Sequence, residues 1–345
     1  MVAVAAVARV SEHLIQLIPK ISVCLPTYNR SRYLQEALTS ILAQTFGDFE
    51  VIVADNCSTD STPDVVRSFK DPRVRYIQHD ENIGHYRNMN HVLQEARGEY
   101  VAIVHDDDVY APEFLERESA ILDRHPAVGM VHCAVYVVDP DRHPLQLHRV
   151  SRASRITGGV DEFMRYLGGH DVACSTVMCR RTVWQSAGPF VPEYMCADFL
   201  MWLNIAMRTD IAYIATPLAE TRVHGNSMTS SMDPQRWYRE FFEIVDIAIT
   251  EFRRLHPDVK CTREDMLRVG AVEQSKRFFI AALAAAAEHG RAAAGSYIGV
   301  LNQLHARGAP CYYAWGARAL TGPARPLLGP VRRVRRMFAK AKVAP

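Results

Sequence analysis

Residues 98–110 read Gly-Glu-Tyr-Val-Ala-Ile-Val-His-Asp-Asp-Asp-Val-Tyr, a short apolar run that ends in three consecutive acids. The run at 100–104 is rich in β-branched residues and shows no polar alternation, which predicts a strand buried on both faces. Ligands of open α/β sheets bind beyond the carboxyl ends of the strands. Three adjacent carboxylates there repel one another unless a cation such as Mg²⁺ or Mn²⁺ joins them. The stretch therefore predicts a metal site, and a solvated acidic turn before the helix near Pro112 is the simpler alternative.

The residues before this stretch alternate between strand and helix patterns. Short apolar strands are predicted at 21–25, 49–54 and 74–78, and amphipathic helices at 32–44, 63–69 and 85–96. Strand and helix thus alternate four times in about 105 residues, which predicts an α/β fold with a mostly parallel, doubly wound sheet.

The second half of the chain has a mixed pattern. We predict strands at 128–138, 175–179, 211–215 and 219–223, helices at 160–167, 197–207, 236–255 and 263–288, and an unstructured polar loop at 142–159. Beyond Pro234 the pattern becomes wholly helical, so a helical region is expected to follow the α/β part.

Composition is that of an ordinary globular chain, with 345 residues, 48% hydrophobic and 23% charged. The net charge of +2 hides an asymmetry, because residues 289–345 contain ten Lys or Arg and no acid, so the remainder is acidic. The eight cysteines show no CxxC or zinc spacing, which indicates free thiols in a reducing cytoplasm. Neither a signal peptide nor a transmembrane helix is predicted.

Polar residues also follow the first two strands. Asp55 could accept a hydrogen bond from a base N–H, and the turn backbone near Thr27 could meet the base, while a cation at Asp107 would neutralise a diphosphate. The chain has neither GxGxxG nor GxxxxGK[ST], so neither a dinucleotide fold nor a P-loop is indicated. An Asx-turn role for Asp55 is the alternative.

Four segments carry a resemblance to a known family. They are Pro26-Thr27-Tyr28-Asn29-Arg30, Asp55-Asn56-Cys57-Ser58-Thr59-Asp60, Asn82-Ile83-Gly84 with Arg87-Asn88, and His105-Asp106-Asp107-Asp108. In order and spacing they resemble the family-2 glycosyltransferases with the GT-A fold, over residues 20–230. The resemblance implies inverting transfer of a sugar from a nucleoside diphosphate sugar, with Mn²⁺ or Mg²⁺ as cofactor. UDP is favoured as the nucleotide, and dTDP is an alternative.

The resemblance also implies a set of site residues. Those expected to bind the nucleotide are Pro26, Thr27, Tyr28, Asp55, Arg87 and Asp106, and those expected at the metal are Asp107, Asp108 and His224. Many family members have Asp where this chain has His105, which leaves the main metal ligand open. His224 lies in Thr221-Arg222-Val223-His224-Gly225-Asn226-Ser227, which resembles the family's Arg-x-His segment, and a plain surface loop is the alternative.

A general base is expected at the start of a helix after a Gly-x-Phe turn. Here the turn is Gly188-Pro189-Phe190, and Ala197-Asp198-Phe199 opens the helix, so the resemblance makes Asp198 the candidate base, with Glu193 in reserve. Family members often have Glu-Asp at this position, and an N-cap role is the alternative for Asp198. An acceptor pocket could be lined by Ser175, Thr176, Trp184 and Trp202, although core packing would explain the two tryptophans equally well.

The predicted domains follow from these patterns: an extension at 1–19, a GT-A domain at 20–232, a helical region at 233–322 and a basic tail at 323–345. The GT-A domain would divide into a nucleotide-binding half, 20–110, and an acceptor half, 111–232. In the tail, apolar residues recur at helical spacing between Leu327 and Ala341, with Arg and Lys between them. Such a basic amphipathic helix, at 327–343, would contact an anionic membrane surface or an acidic partner, unless the tail is disordered.

The leading hypothesis is thus an inverting, metal-dependent glycosyltransferase in the cytoplasm, with peripheral contact to the inner face of the membrane. Its acceptor would be a lipid-linked saccharide, a polymer or a small natural product, and no nucleic-acid partner is predicted. A nucleotidyltransferase would also place metal-binding carboxylates at strand ends, and a non-catalytic nucleotide-sugar binding protein is a third class. The sequence does not indicate an oligomeric state.

Overall fold

A mixed sheet of ten strands runs through the part of the chain that the structure describes. The structure is a computed structural model and describes residues 18–224, 233–289 and 294–309, except for the side chains of residues 284 and 286–289. The strands are β1 (Ile21–Thr27), β2 (Phe49–Asp55), β3 (Val74–Gln78), β4 (Tyr100–Ile103), β5 (Val109–Tyr110), β6 (Val128–Val138), β7 (Pro144–His148), β8 (Arg155–Thr157), β9 (Val177–Arg180) and β10 (Asp210–Arg222).

Helices cover both faces of this sheet and continue beyond it. They are α1 (Ser31–Leu42), α2 (Thr62–Ser68), α3 (His85–Gln94), α4 (Phe114–Arg124), α5 (Gly159–Tyr166), α6 (Arg181–Ala187), α7 (Ala197–Ala206), α8 (Pro234–Leu255), α9 (Arg263–His289) and α10 (Gly295–Ala306). No helix within the described ranges combines the length and apolarity needed to cross a membrane.

The strand order explains where a site can form. The order is β3-β2-β1-β4-β9-β6-β10-β5, with β7 on β6 and β8 on β10. The first four strands are parallel, so Thr27 at the end of β1 is in register with Asp55 at the end of β2. β9 then joins antiparallel to β4. The predicted alternation of strands and helices is confirmed, and the carboxyl ends of β1, β2 and β4 meet at one edge.

Alternation of side chains along β1 connects the two layers of the core. Cys24 points into the cluster that contains α3 and the C-terminal helices, whereas Val23 and Leu25 point into the cluster on the opposite face. Helix α1 packs against that second face with Leu34, Ala37, Leu38 and Ile41, the 3-and-4 spacing of a one-sided helix.

The prediction of a structureless loop at 142–159 is wrong, because two short strands lie within it. β7 pairs antiparallel with β6, and β8 pairs with β10. Both are edge strands with exposed residues such as Leu145 and Ile156, so their apolar pattern is too weak to recognise in the sequence. The two strands predicted at 211–215 and 219–223 are one strand, β10, whose pairing with β6 shifts register on both sides of Pro217 because proline cannot donate to the ladder.

The predicted C-terminal helical region is present and packs on helices α5 and α7, which cover one face of the sheet. Helix α8 buries an aromatic face, and its Phe252 stacks on Phe163 of α5 with ring centroids 4.1 Å apart. Trp184 and Trp202 are buried in the same cluster, so core packing accounts for both. The seven cysteines in the described residues are unpaired. The N-terminal residues 1–17, Cys311 and the tail at 323–345 lie outside the described residues.

Glu118 is an unusual residue in this core, because its carboxyl group is fully buried on α4. Neither oxygen has a regular hydrogen-bond partner among the described residues, and the Cys133 thiol beside it is a weak donor. Burial therefore raises the pKa of Glu118 well above its usual value. The folded protein holds a proton that the unfolded chain releases above about pH 4.5, so stability falls as pH rises.

We predict that Glu118→Gln stabilises the protein at pH 8 more than at pH 5. The variant lacks the titrating proton, so its advantage should grow by up to about 1.4 kcal/mol per pH unit above the unfolded-state pKa. Urea unfolding at several pH values measures this, with Glu116→Gln, an exposed residue of the same helix, as the control. Identical pH slopes for Glu118→Gln and the parent protein would contradict the prediction.

Candidate active site

A cavity of about 710 Å³ opens at the carboxyl ends of β1 and β4. Seven of the predicted site residues line it: Pro26, Thr27, Tyr28, Asp106, Asp107, Asp108 and Asp198. They come from β1, from the turn between β4 and β5, and from α7. The sheet topology thus brings together residues from three distant parts of the chain.

Three other predicted residues lie outside the lining of this cavity. Asp55 is fully buried, and its carboxylate accepts hydrogen bonds from the Ser58 N–H at 2.9 Å and the Tyr76 hydroxyl at 2.6 Å. Arg87 is exposed on α3, with its nearest carboxylate, that of Glu193, 3.9 Å away. His224 lies beside the acidic turn, where its Nε2 is 3.0 Å from Asp107 Oδ2.

The other motif residues brace the loops that surround the cavity. Asn29, which has a positive φ of 51°, accepts a hydrogen bond from the Thr59 N–H at 2.7 Å. Asn56 accepts from the Ile83 N–H at 2.9 Å and donates to Asn82 Oδ1 at 2.8 Å. These contacts fix the loops after β1, β2 and β3 relative to one another. The motif asparagines therefore have a structural role here.

Thr27, Arg30 and Asp106 form a polar group on the β1 side of the cavity. The Thr27 hydroxyl donates to Asp106 Oδ2 at 2.7 Å, and Arg30 Nη1 donates to Asp106 Oδ1 at 3.0 Å and to Asp107 Oδ2 at 2.6 Å. Burial and the neighbouring Asp107 charge raise the pKa of Asp106 to about 6. Burial acts in the same direction on Asp107, but Arg30, His105 and His224 together outweigh it and hold the pKa of Asp107 below its usual value.

His105, Asp107 and Asp108 form a group that could hold a metal ion. Each offers one ligand atom, and these atoms lie within 4.8 Å of one another. His105 Nε2 and Asp108 Oδ2 are buried and lack a hydrogen-bond partner among the described residues, which is costly unless a ligand satisfies them. Burial lowers the pKa of His105, so its imidazole is neutral and able to bind a metal. One imidazole and two carboxylates suit Mn²⁺ or Mg²⁺, so the residues fit the implied cofactor.

Arg222 holds the acidic turn in place, a role that the sequence analysis missed. Its backbone N–H donates to Asp108 Oδ1 and its Nε donates to the Asp107 carbonyl, both at 2.9 Å. The guanidinium is buried, lies 4.5 Å from the Tyr33 ring centroid and donates to Glu36 at 2.8 Å. The signal in the sequence was its position two residues before His224.

Asp198 is the second residue of α7 and lines the cavity. The N-cap of this helix is Cys196, so Asp198 does not fill that alternative role. Its Oδ1 accepts from the Phe199 N–H at 2.9 Å, and its Oδ2 is 4.0 Å from His170 Nε2. The side chain is 26% exposed, whereas Glu193 is 68% exposed and lies outside the cavity lining.

Of the four residues expected to line an acceptor pocket, only Ser175 lines the cavity, and Trp237 lines it in addition. Ser175 lines it and Thr176 is fully buried. Trp237 of α8 also lines it and donates from its indole N–H to Gln274 at 3.3 Å. The C-terminal helical region thus contributes to the cavity, which sequence periodicity had no means of indicating.

Comparison with known proteins identifies the family of this arrangement. Residues 22–186 match the family model described as "Glycosyl transferase family 2". An uncharacterized glycosyltransferase of Rickettsia felis is 27% identical over 235 residues, which cover 67% of this chain and 37% of that protein. The chain therefore spans little more than a third of the length of that relative.

Solved structures show the same fold. TarS of S. aureus in complex with UDP-GlcNAc has a TM-score of 0.61 at 20% identity, covering 93% of this chain and 92% of that one. The mannosyltransferase PcManGT from Pyrobaculum calidifontis, in complex with GDP-Man and Mn²⁺, has a TM-score of 0.55 at 22% identity, covering 94% and 85%. With the family match, these likenesses confirm the predicted GT-A type α/β fold with a helical C-terminal extension.

Proposed function

Because residues 22–186 are a family 2 glycosyltransferase domain, we propose that the chain transfers a sugar from a nucleoside diphosphate sugar to an acceptor hydroxyl, with inversion. The observation that carries the proposal is that the strand-end acids 106–108 and Asp198 line one cavity. A donor whose diphosphate lies at the acids would therefore present its sugar towards a carboxylate from a different helix.

The donor nucleotide is assigned to the β1 side of the cavity. Pro26, Thr27 and Tyr28 line it there, and Asp106, tied to Thr27, is placed to meet the ribose. Asp55, which is buried at the end of β2, would support the nucleobase, and Arg87 would contact the nucleotide from outside the cavity lining. UDP is favoured and dTDP is the alternative, although the two similar structures contain UDP-GlcNAc and GDP-Man.

The metal is assigned to Asp107 and Asp108, with His105 as third ligand and His224 supporting Asp107. A bound divalent ion supplies positive charge that stabilises the diphosphate leaving group. Arg222 would keep both residues in place, since its backbone N–H donates to the Asp108 carboxylate and its Nε donates to the Asp107 carbonyl.

Asp198 is proposed to deprotonate the acceptor hydroxyl. As the hydroxyl oxygen attacks the anomeric carbon, its proton passes to the Asp198 carboxylate, and the bond from that carbon to the diphosphate oxygen breaks on the opposite face. The bonding electron pair leaves with the nucleoside diphosphate, so the configuration at the anomeric carbon is inverted.

The acceptor is assigned to the side of the cavity lined by Ser175, Asp198 and Trp237. An indole face and polar groups suit a saccharide or another hydroxyl-bearing acceptor. Contact of segment 327–343 with the inner face of the membrane remains a proposal that rests on the sequence pattern, since that segment lies outside the described residues.

We predict that Asp107→Asn weakens UDP binding in Mn²⁺ by at least about tenfold and leaves it unchanged or tighter in EDTA. The substitution removes a metal ligand, and it also removes a negative charge near the diphosphate. Calorimetry in the two buffers measures both effects, with Asp141→Asn, an exposed residue, as the control. Equal losses in Mn²⁺ and EDTA would remove the metal role.

We predict that Asp198→Asn lowers the transfer rate by roughly 10² to 10⁴ while UDP affinity stays nearly constant. Asparagine keeps the size of the side chain but cannot take the proton. Glu193→Gln is the matched control and should turn over at close to the parent rate. If Asp198→Asn keeps a rate within a few-fold of the parent, the base lies elsewhere.

A further inference from the structure

Arg30 directly precedes α1 and lines the cavity, and only one nitrogen of its guanidinium donates hydrogen bonds to described residues. Both of its hydrogen bonds to described residues come from Nη1, which contacts Asp106 and Asp107. The side chain is 27% exposed and lines the cavity. The Nε and Nη2 edge of the guanidinium is therefore available to a ligand.

Other cations in the described residues are less suited to meet a diphosphate. Arg222 also lines the cavity, but its side chain is 2% exposed, and its three nitrogens donate to the Asp107 carbonyl, the Pro140 carbonyl and Glu36. Arg87 lies outside the lining of the cavity, with its guanidinium 3.9 Å from the Glu193 carboxylate. Among the described lining residues no lysine occurs.

The pairing of Nη1 with two carboxylates gives Arg30 a fixed orientation. A guanidinium presents a planar fork that matches two phosphate oxygens, and a fork that is already held loses little freedom when it binds. The acids that hold Nη1 are the ones assigned to the ribose and the metal, so the free edge lies next to the position of the diphosphate.

We propose that Arg30 binds the diphosphate of the donor through its Nε and Nη2, while Nη1 stays tied to Asp106 and Asp107. This inference rests on the proposed function. It assigns the phosphate contact to Arg30 and not to Arg87, for which the family resemblance implies a contact to the nucleotide. This contact places the positive charge of the guanidinium beside the leaving diphosphate, and this charge is present whether or not a metal is bound.

The test compares UDP with uridine, which lacks the phosphates, by calorimetry on the full chain in Mn²⁺ and in EDTA. Arg30→Gln should weaken UDP binding by about 10- to 100-fold in both buffers, the effect of losing a charge-assisted pair of hydrogen bonds, and leave uridine binding unchanged. Arg32→Gln is the matched control, because Arg32 is an exposed residue two positions after Arg30 and the substitution removes the same charge. It should change neither UDP nor uridine affinity.

Two variants separate direct contact from indirect effects. If Arg30 merely neutralised Asp106, the change Arg30→Gln would cost no further UDP affinity in a protein that already carries Asp106→Asn, and this result would overturn the proposal. A double variant that binds UDP about 10- to 100-fold more weakly than the Asp106→Asn single variant supports it. Arg30→Lys keeps the charge without the fork, so it should bind UDP with intermediate affinity, and it serves as the test if Arg30→Gln does not fold.

The remaining outcomes also decide the matter. Equal losses for UDP and uridine, no loss for either, or a larger UDP-specific loss in Arg87→Gln would each overturn the role of Arg30. A parent protein that binds none of UDP, dTDP, GDP and CMP would instead overturn the proposed function itself, and the inference with it.

Discussion

Three carboxylates buried side by side at the end of β4 repel one another, and the structure around them is arranged to hold them. Arg30 neutralises Asp106 and Asp107 from the end of β1, and His224 contacts Asp107 from the segment after β10. Arg222 binds the turn through its backbone and guanidinium. Arg30 follows β1 in the parallel part of the sheet, whereas Arg222 and His224 lie at and after the end of β10 in the mixed part. The acidic turn therefore connects the two parts of the sheet.

This arrangement leaves two kinds of acid in one cavity. Asp106 to Asp108 are buried among cations and a neutral imidazole, which suits them to hold charge in a fixed position. Asp198 lies on a separate helix and is more exposed, and its neighbour at 4.0 Å is the His170 ring, whose pKa is lowered by burial. The proposed function assigns charge stabilisation to the first group and proton transfer to Asp198, which is the division that an inverting transfer would require.

The sequence allowed the parallel strands and the acidic strand ends to be predicted, because buried strands leave continuous apolar runs and functional polar residues follow them. It did not reveal Arg222, whose contacts to the acidic turn join segments over a hundred residues apart, or Trp237, which reaches the cavity through the packing of the C-terminal helices. β7 and β8 were not predicted, because edge strands have too few buried residues to produce a recognisable alternation of apolar and polar residues. The sequence shows that Arg30 belongs to a motif. It does not show which guanidinium nitrogens are available to a ligand, because this depends on how the acids pack around the side chain.

Incubation with nucleotide sugars labelled in the sugar tests most directly whether this cavity cleaves the bond between a sugar and a nucleoside diphosphate. In the presence of Mn²⁺ we expect labelled sugar to appear on an acceptor or, slowly, on water, together with free nucleoside diphosphate. With pyrophosphate added, release of labelled sugar 1-phosphate together with a nucleoside triphosphate would instead indicate a nucleotidyltransferase. Tight binding of the donor without turnover, across acceptors and metals, would indicate a binding protein, and either result would contradict the account.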